Sequence, residues 1–252
     1  MTTSISKRTQ HRSALPRVGA HISTAGGFSK VVPRALAMGA EAVQVFSSNP
    51  RAWRKSPPDP ETLTGFATQL KENHLPLFFH TIYLVNLASP DLELRRRSAL
   101  SVAHALVLGA LAGATGVVTH VGSHRGQGFD KAVPWVRDAL NTAFRAAKQD
   151  LARHGYGTER WPLPPLLLET ATGSGATVGD RLDDLAVLLA PPASPVPTLA
   201  SEDLGLCLDT AHLFAAGYAV HELRGLEEFL AELKQRGVLS MVRLVHLNDS
   251  AS

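Results

Sequence analysis

From Arg17 onward the chain alternates short apolar runs with longer segments whose apolar residues recur at helical spacing. The short runs predict strands at Val18–Ile22, Ala42–Phe46, Leu77–His80, Gly116–His120, Leu166–Glu169, Gly205–Asp209 and Val242–His246. Between them, Gly27–Met38, Glu61–Asn73, Asp91–Leu111, Phe129–Arg153, Asp180–Leu189 and Gly225–Arg236 carry the helical pattern. Asp91 and Asp180 stand where N-caps are expected, and Gly113 and Gly237 fall just past helix ends. Pro191 to Asp203 is too rich in proline for a helix and reads as a surface loop.

Strand and helix in strict alternation predict a parallel sheet built from βαβ units. With 252 residues, 44% of them hydrophobic, the chain suits one α/β barrel of the TIM (β/α)8 type. Seven strands are predicted where closure needs eight, and only Leu247 to Ser252 follow the seventh. The expectation is therefore an incomplete barrel over residues 17–252, its eighth βα unit missing and two strand edges left unpaired. Residues 1–16 read as a disordered basic tail.

Charge and cysteine usage narrow the setting rather than the chemistry. Lys and Arg number 25 against 22 Asp and Glu, a net charge of +3, which permits a nucleic-acid partner without demanding one. Cys207 is the only cysteine, so an intramolecular disulfide and a cysteine-based zinc cluster are both excluded, and a reducing cytoplasm is the expected compartment. No apolar run approaches the roughly 18 residues of a membrane span.

The chemistry gathers at strand ends. His80, His120, Glu169, Asp209 and His246 each occupy the last position of a different predicted strand, and in a TIM barrel those ends converge on one face. A single histidine at a strand end is ordinarily a hydrogen-bonded structural residue. Three imidazoles and two carboxylates in one mouth, without a basic partner, are costly unless cations sit among them. A nitrogen and oxygen donor set without sulfur suits Zn²⁺, Mn²⁺ or Fe²⁺. Glu169, midway in the strand order, can bridge two ions. A pair about 3.5–4 Å apart can activate water near neutral pH and neutralise an in-line phosphoryl displacement. His212, three residues after Asp209, is either a further ligand or a residue that orients one. His104, His124, His154 and His221 read as surface histidines, and Cys207 as a small core residue.

The stretches VGAHISTAGG, VFSSNPRAW, HTIYLVNL, THVGSH, LLLETATGSG, GLCLDTAHLFAAGY and VHLNDS together resemble endonuclease IV, a family of zinc-dependent nucleases that repair abasic sites in DNA. The resemblance runs from about Arg17 to the last residue, and DTAHLFAAGY and HLNDS are its most specific parts. It implies three zinc ions: the first on His80, His120 and Glu169, the second on Glu169, Asp209 and His246, the third on His212. Glu169 is thereby the central catalytic residue. It also implies that Arg51, Tyr83 and Leu84 enter double-stranded DNA where a base is missing, as phosphate contact and wedge. The expected activity is metal-dependent cleavage 5′ to an abasic site, in base excision repair, by a monomer.

This sequence departs from the family pattern at Thr81 and Ala219, where acidic residues are usual. The family also carries an Asp-x-His pair after strand seven and a Glu ending strand eight. With the chain ending at Ser252, the resemblance implies a second site short of one carboxylate and a third site with His212 alone. Two alternatives stand beside the nuclease: a metal-dependent sugar isomerase or epimerase of the same barrel superfamily, and an inactive remnant that binds DNA or metal without cutting.

Overall fold

A computed structural model describes residues 15–53, 60–191, 199 and 203–250. The described elements are β1 (Ala20–His21), α1 (Val31–Ala37), β2 (Val43–Phe46), α2 (Pro60–Glu72), β3 (Leu77–His80), α3 (Leu92–Ala112), β4 (Gly116–Thr119), α4 (Phe129–Arg153), β5 (Leu166–Glu169), α5 (Leu182–Leu189), β6 (Leu204–Asp209), α6 (Thr210–Ala215), α7 (Leu223–Gln235) and β7 (Val242–His246). The seven strands form one parallel sheet in the order β1 to β7, each paired with its sequence neighbour. β1 and β7 are the two edges among the described residues. The sheet curls, because His246 of β7 reaches Gln44 of β2 across it with a hydrogen bond of 2.9 Å.

Two apolar layers hold this architecture. The larger packs the outward faces of the strands against the helices, with Val43, Val45, Phe79, Val117, Leu166, Leu168 and Leu206 meeting Phe66, Val102, Leu106, Leu140 and Phe144. The smaller lies inside the curl: Phe78, Val118, Leu167 and Cys207, with Leu244 against them. Strand side chains alternate faces with a period of two. The residues two positions further on from these five are His80, His120, Glu169, Asp209 and His246. An apolar plug thus sets the floor, and the next layer up is polar. Gly205 belongs to the same economy of space, since a Cβ there would lie 2.6 Å from Leu167 Cδ2.

Most element bounds agree with the sequence within two residues. β4 ends at Thr119, so His120 is the first residue beyond it. Gly113 closes α3 in the left-handed conformation at φ 66°, and the Asp91 carboxylate accepts from the amides of Glu93 and Leu94. Asp180 does not cap α5: Arg181 holds the N-cap position and makes no side-chain cap bond, while the nearby Asp184 carboxylate accepts from Gly179 instead. The short helix α6, which begins directly on Asp209, has too few residues to show a period and was not expected. His104 and His124 are half-buried rather than on the surface. Most of the proposed tail and the Pro191–Asp203 segment lie outside the described residues. No described helix is long and apolar enough to cross a membrane.

Candidate metal centre

The strand-end residues converge. Glu169, buried at the end of β5, is the hub: its Oε2 lies 3.1 Å from His80 Nε2 and 3.4 Å from His120 Nε2. Its Oε1 lies 2.8 Å from His246 Nδ1 and 3.7 Å from His212 Nδ1. Asp209, also buried, stands 3.6 Å from His246 and 3.9 Å from His212. Ligand atoms of His80, His120 and Glu169 fall within 4.8 Å of one another, as do those of Glu169, Asp209 and His212. A third such group joins Glu169 and His246 to Cys207, the inward residue of the floor beneath them.

His80, His212 and Asp209 are held from behind. His80 Nδ1–H donates to the Thr81 carbonyl at 2.6 Å, which turns Nε2 toward Glu169. Nε2 stands 3.1 Å from Glu169 Oε2, where a divalent cation can take the place of the hydrogen-bonding proton between them. His212 Nδ1–H donates to the Thr170 carbonyl at 2.8 Å, and the Asp209 carboxylate accepts from the His212 amide at the start of α6. Asn248 donates to Asp209 Oδ2 at 2.6 Å, and the Asp209 amide donates to Thr170 Oγ1 at 2.8 Å.

Protonation follows from this packing. Burial opposes charge on Glu169, but the His246 and His80 hydrogen bonds and neighbouring imidazoles outweigh it and hold the carboxyl far below the usual carboxylate range. Asp209 is likewise lowered: burial opposes, and His246, the His212 amide and Asn248 prevail. Burial and the other imidazoles depress His120 to about 4, against the pull of Glu169. His21 is depressed to about 4 by burial and by His80 and His246. His246 goes the other way: burial opposes its charge, yet Asp209, Cys207 and Glu169 raise it to about 12. Anionic carboxylates beside the neutral His120 imidazole match what a divalent cation binds, and at His246 an ion competes with a proton. The residues present therefore fit a metal centre of nitrogen and oxygen donors.

The residues expected to touch DNA sit on the rim beside this centre. The loop after β2 carries Arg51, and the loop after β3 carries Tyr83 and Leu84; the Tyr83 amide donates to the Pro50 carbonyl at 3.0 Å, tying the two together. Tyr83 is 58% exposed, although its ring lies 5.9 Å from His80 and 5.2 Å from Phe46, and Leu84 is 38% exposed. Arg51 is exposed, and Trp53 beside it lies under the Arg97 guanidinium, 4.5 Å from ring centroid to charge. Asn86 fastens the Tyr83 loop to the loop after β4. It donates to the Ser123 carbonyl and accepts from the amides of Ser123 and Ala88.

Comparison with known proteins identifies the family. The family model of xylose isomerase-like TIM barrels matches residues 32–252. A protein of Chloroflexus aurantiacus named "Probable endonuclease 4" is 36% identical over 94% of this chain and 77% of its own length. The chain belongs to the endonuclease IV family. A second relative of the family, from Halothermothrix orenii, is 35% identical over 93% of this chain and 78% of its own. The solved endonuclease IV of Thermus thermophilus superposes with a TM-score of 0.77 at 35% identity, covering 94% of this chain and 78% of that one. A D-tagatose 3-epimerase-like protein superposes with a TM-score of 0.61 at 13% identity, which shows a shared fold alone.

Sequence reasoning missed several residues of this mouth. His21 and Gln44 reach it from β1 and β2, with the His21 ring 4.4 Å from Phe46 and 6.2 Å from His80. His21 sits inside the quoted VGAHISTAGG stretch at the end of β1, so the strand-end pattern could have found it. Gln44 lies mid-strand, and no local pattern marks it. Thr170 and Asn248 each follow an expected ligand by one or two residues, where partners that orient a ligand are common.

Proposed function

We propose that this member of the endonuclease IV family is a zinc-dependent phosphodiesterase that cuts double-stranded DNA on the 5′ side of abasic sites. The observation that carries the reading is the convergence of His80 Nε2 and His120 Nε2 on one oxygen of the ionised Glu169, at 3.1 Å and 3.4 Å, with an exposed Tyr83 on the rim beside them. His80, His120 and Glu169 would hold one ion, Glu169, Asp209 and His246 a second, and His212 would contribute to a third. Such ions supply Lewis-acid polarisation of a scissile phosphodiester and activation of water at neutral pH.

The chain's own residues do the rest. Glu169, anionic and buried, offers one carboxylate oxygen toward His80 and His120 and the other toward His246, which is the geometry of a bridging ligand. Thr81 and Thr170 carbonyls orient His80 and His212 by accepting from their Nδ1–H groups. Arg51 contacts backbone phosphate, and Tyr83 and Leu84 fill the gap left by a missing base, where unstacking costs least. The apolar floor of Phe78, Val118, Leu167 and Leu244 excludes water from beneath the centre.

The test is incision of a duplex carrying one synthetic abasic site, with an intact duplex and a ketose as parallel substrates. Cleavage 5′ to the abasic site that is lost on chelation and restored by Zn²⁺ supports the reading. Turnover of the ketose without DNA cleavage, or metal binding with neither, overturns it.

A further inference from the structure

Gln44 places its carboxamide between two imidazoles from different strands. Its Oε1 lies 2.9 Å from His246 Nε2, and its Nε2 lies 3.1 Å from His21 Nδ1. The opposite nitrogen of His246, Nδ1, faces Glu169 Oε1 at 2.8 Å. The three bonds run in series from β1 through β2 and β7 to β5.

An amide has two unlike ends: its oxygen only accepts and its NH₂ only donates. With the oxygen toward His246, that ring must keep its proton on Nε2. Nδ1 is then the nitrogen presented to Glu169 and Asp209. With the NH₂ toward His21, the His21 Nδ1 must be bare and its proton sits on Nε2. The His21 ring also packs against Phe46, with centroids 4.4 Å apart.

Position makes this contact more than incidental. β7 is an edge strand in the described sheet, paired only with β6, and the pairing shifts register between Leu206 and Cys207. A side-chain contact across the curl adds to that pairing in fixing His246. Gln44 pairs in register with Phe78, a residue of the apolar floor, so it is the amide set among hydrocarbon neighbours. A polar group in such a layer is expected to have its hydrogen bonds satisfied, and here both ends are.

We propose that Gln44, braced by His21, is a positioning residue of the metal centre: it locks His246 with its proton on Nε2, so that Nδ1 is the atom with which His246 meets the ion shared with Glu169 and Asp209. The inference rests on His246 being a metal ligand, as argued above. It adds which nitrogen is used and what selects it. Partners of this kind, donating or accepting behind a ligating histidine, carry about 10–100-fold in metal affinity.

The test uses the full chain with ¹⁵N-labelled histidine, loaded with Zn²⁺, and long-range ¹⁵N–¹H spectra that report which ring nitrogen carries a proton. The expected result is His246 with Nε2–H and metallated Nδ1. Titration against a chromophoric chelator should show that Gln44→Leu weakens one class of Zn²⁺ by about 10–100-fold while sparing the class that depends on His80 and His120. Gln44→Glu, which keeps an oxygen acceptor for His246, should restore that affinity and move the His21 proton to Nδ1. This rescue separates hydrogen bonding from packing. His246 metallated through Nε2, or Gln44→Leu with unchanged affinity, overturns the proposal even if one variant folds poorly. His246→Ala is the control for the underlying reading: a loss there with none in Gln44→Leu sinks only this inference, and no loss in either sinks the ligand assignment itself.

Discussion

His80 and Glu169 face each other at 3.1 Å across the mouth, the imidazole through Nε2 and the carboxylate in its anionic form. Residues 89 apart in sequence have been brought into a contact where a divalent cation can replace the hydrogen-bonding proton.

Glu169→Gln removes the charge that joins the two groups of imidazoles. Zinc content by elemental analysis should fall by at least one ion per chain, and incision of abasic DNA should drop by about 10³-fold or more. Far-ultraviolet circular dichroism should remain that of the parent, because the amide still fills the same buried space.

Tyr83→Ala and Leu84→Ala should leave thermal stability nearly unchanged, since both side chains are exposed. Each should weaken binding to an abasic duplex by about 10-fold, with a smaller effect on intact duplex. Arg51→Ala should instead weaken binding to both alike and lower the slope of log affinity against log salt by about one. Fluorescence anisotropy across a salt series measures all three.

Asn86→Ala strips an acceptor from two backbone amides and a donor from the Ser123 carbonyl. Loss of about 1–3 kcal/mol in urea denaturation is expected, together with weaker DNA binding as two rim loops come apart. Gly122→Ala tests the same clasp from the other side. Gly122 adopts φ 105°, and a Cβ there would lie 2.3 Å from Asn86 Oδ1, so the substitution should cost at least as much.

The metal-free protein should be most stable near pH 6.5. His21 and His120 titrate near 4 when folded and near 6.5 when unfolded, so stability falls as pH drops through that window and the unfolded chain takes up protons that the folded one refuses. His246 has the opposite sign. Its folded value is raised to about 12, so its contribution is full below 6.5 and is lost progressively as pH rises toward 12. Denaturant midpoints of chelated protein from about pH 4 to 9 read both limbs, and saturating Zn²⁺ should flatten the alkaline one.

Much of this architecture is written in local pattern. Apolar runs ending in His, Glu or Asp marked five strands and the face on which they meet, because a period of two carries the floor residue Leu167 and the ligand candidate Glu169 to the same side of β5. What local pattern cannot carry is the partner of a residue. Gln44 is an ordinary polar position within a strand until the sheet curls His246 over it, 202 residues later. Asn86 joins two loops through contacts 37 residues apart and has no periodic signature. Asp180 shows the opposite error: it has the chemistry of a cap, yet α5 starts beyond it, where Asp184 bonds Gly179.

The most direct test of the central claim is anomalous diffraction at the zinc edge from crystals of this chain grown with Zn²⁺. A peak is expected about 2.0–2.2 Å from His80 Nε2, His120 Nε2 and a Glu169 oxygen, with a second shared by Glu169, Asp209 and His246. Zinc found only at surface histidines such as His154 or His221, with the mouth empty, would contradict the claim.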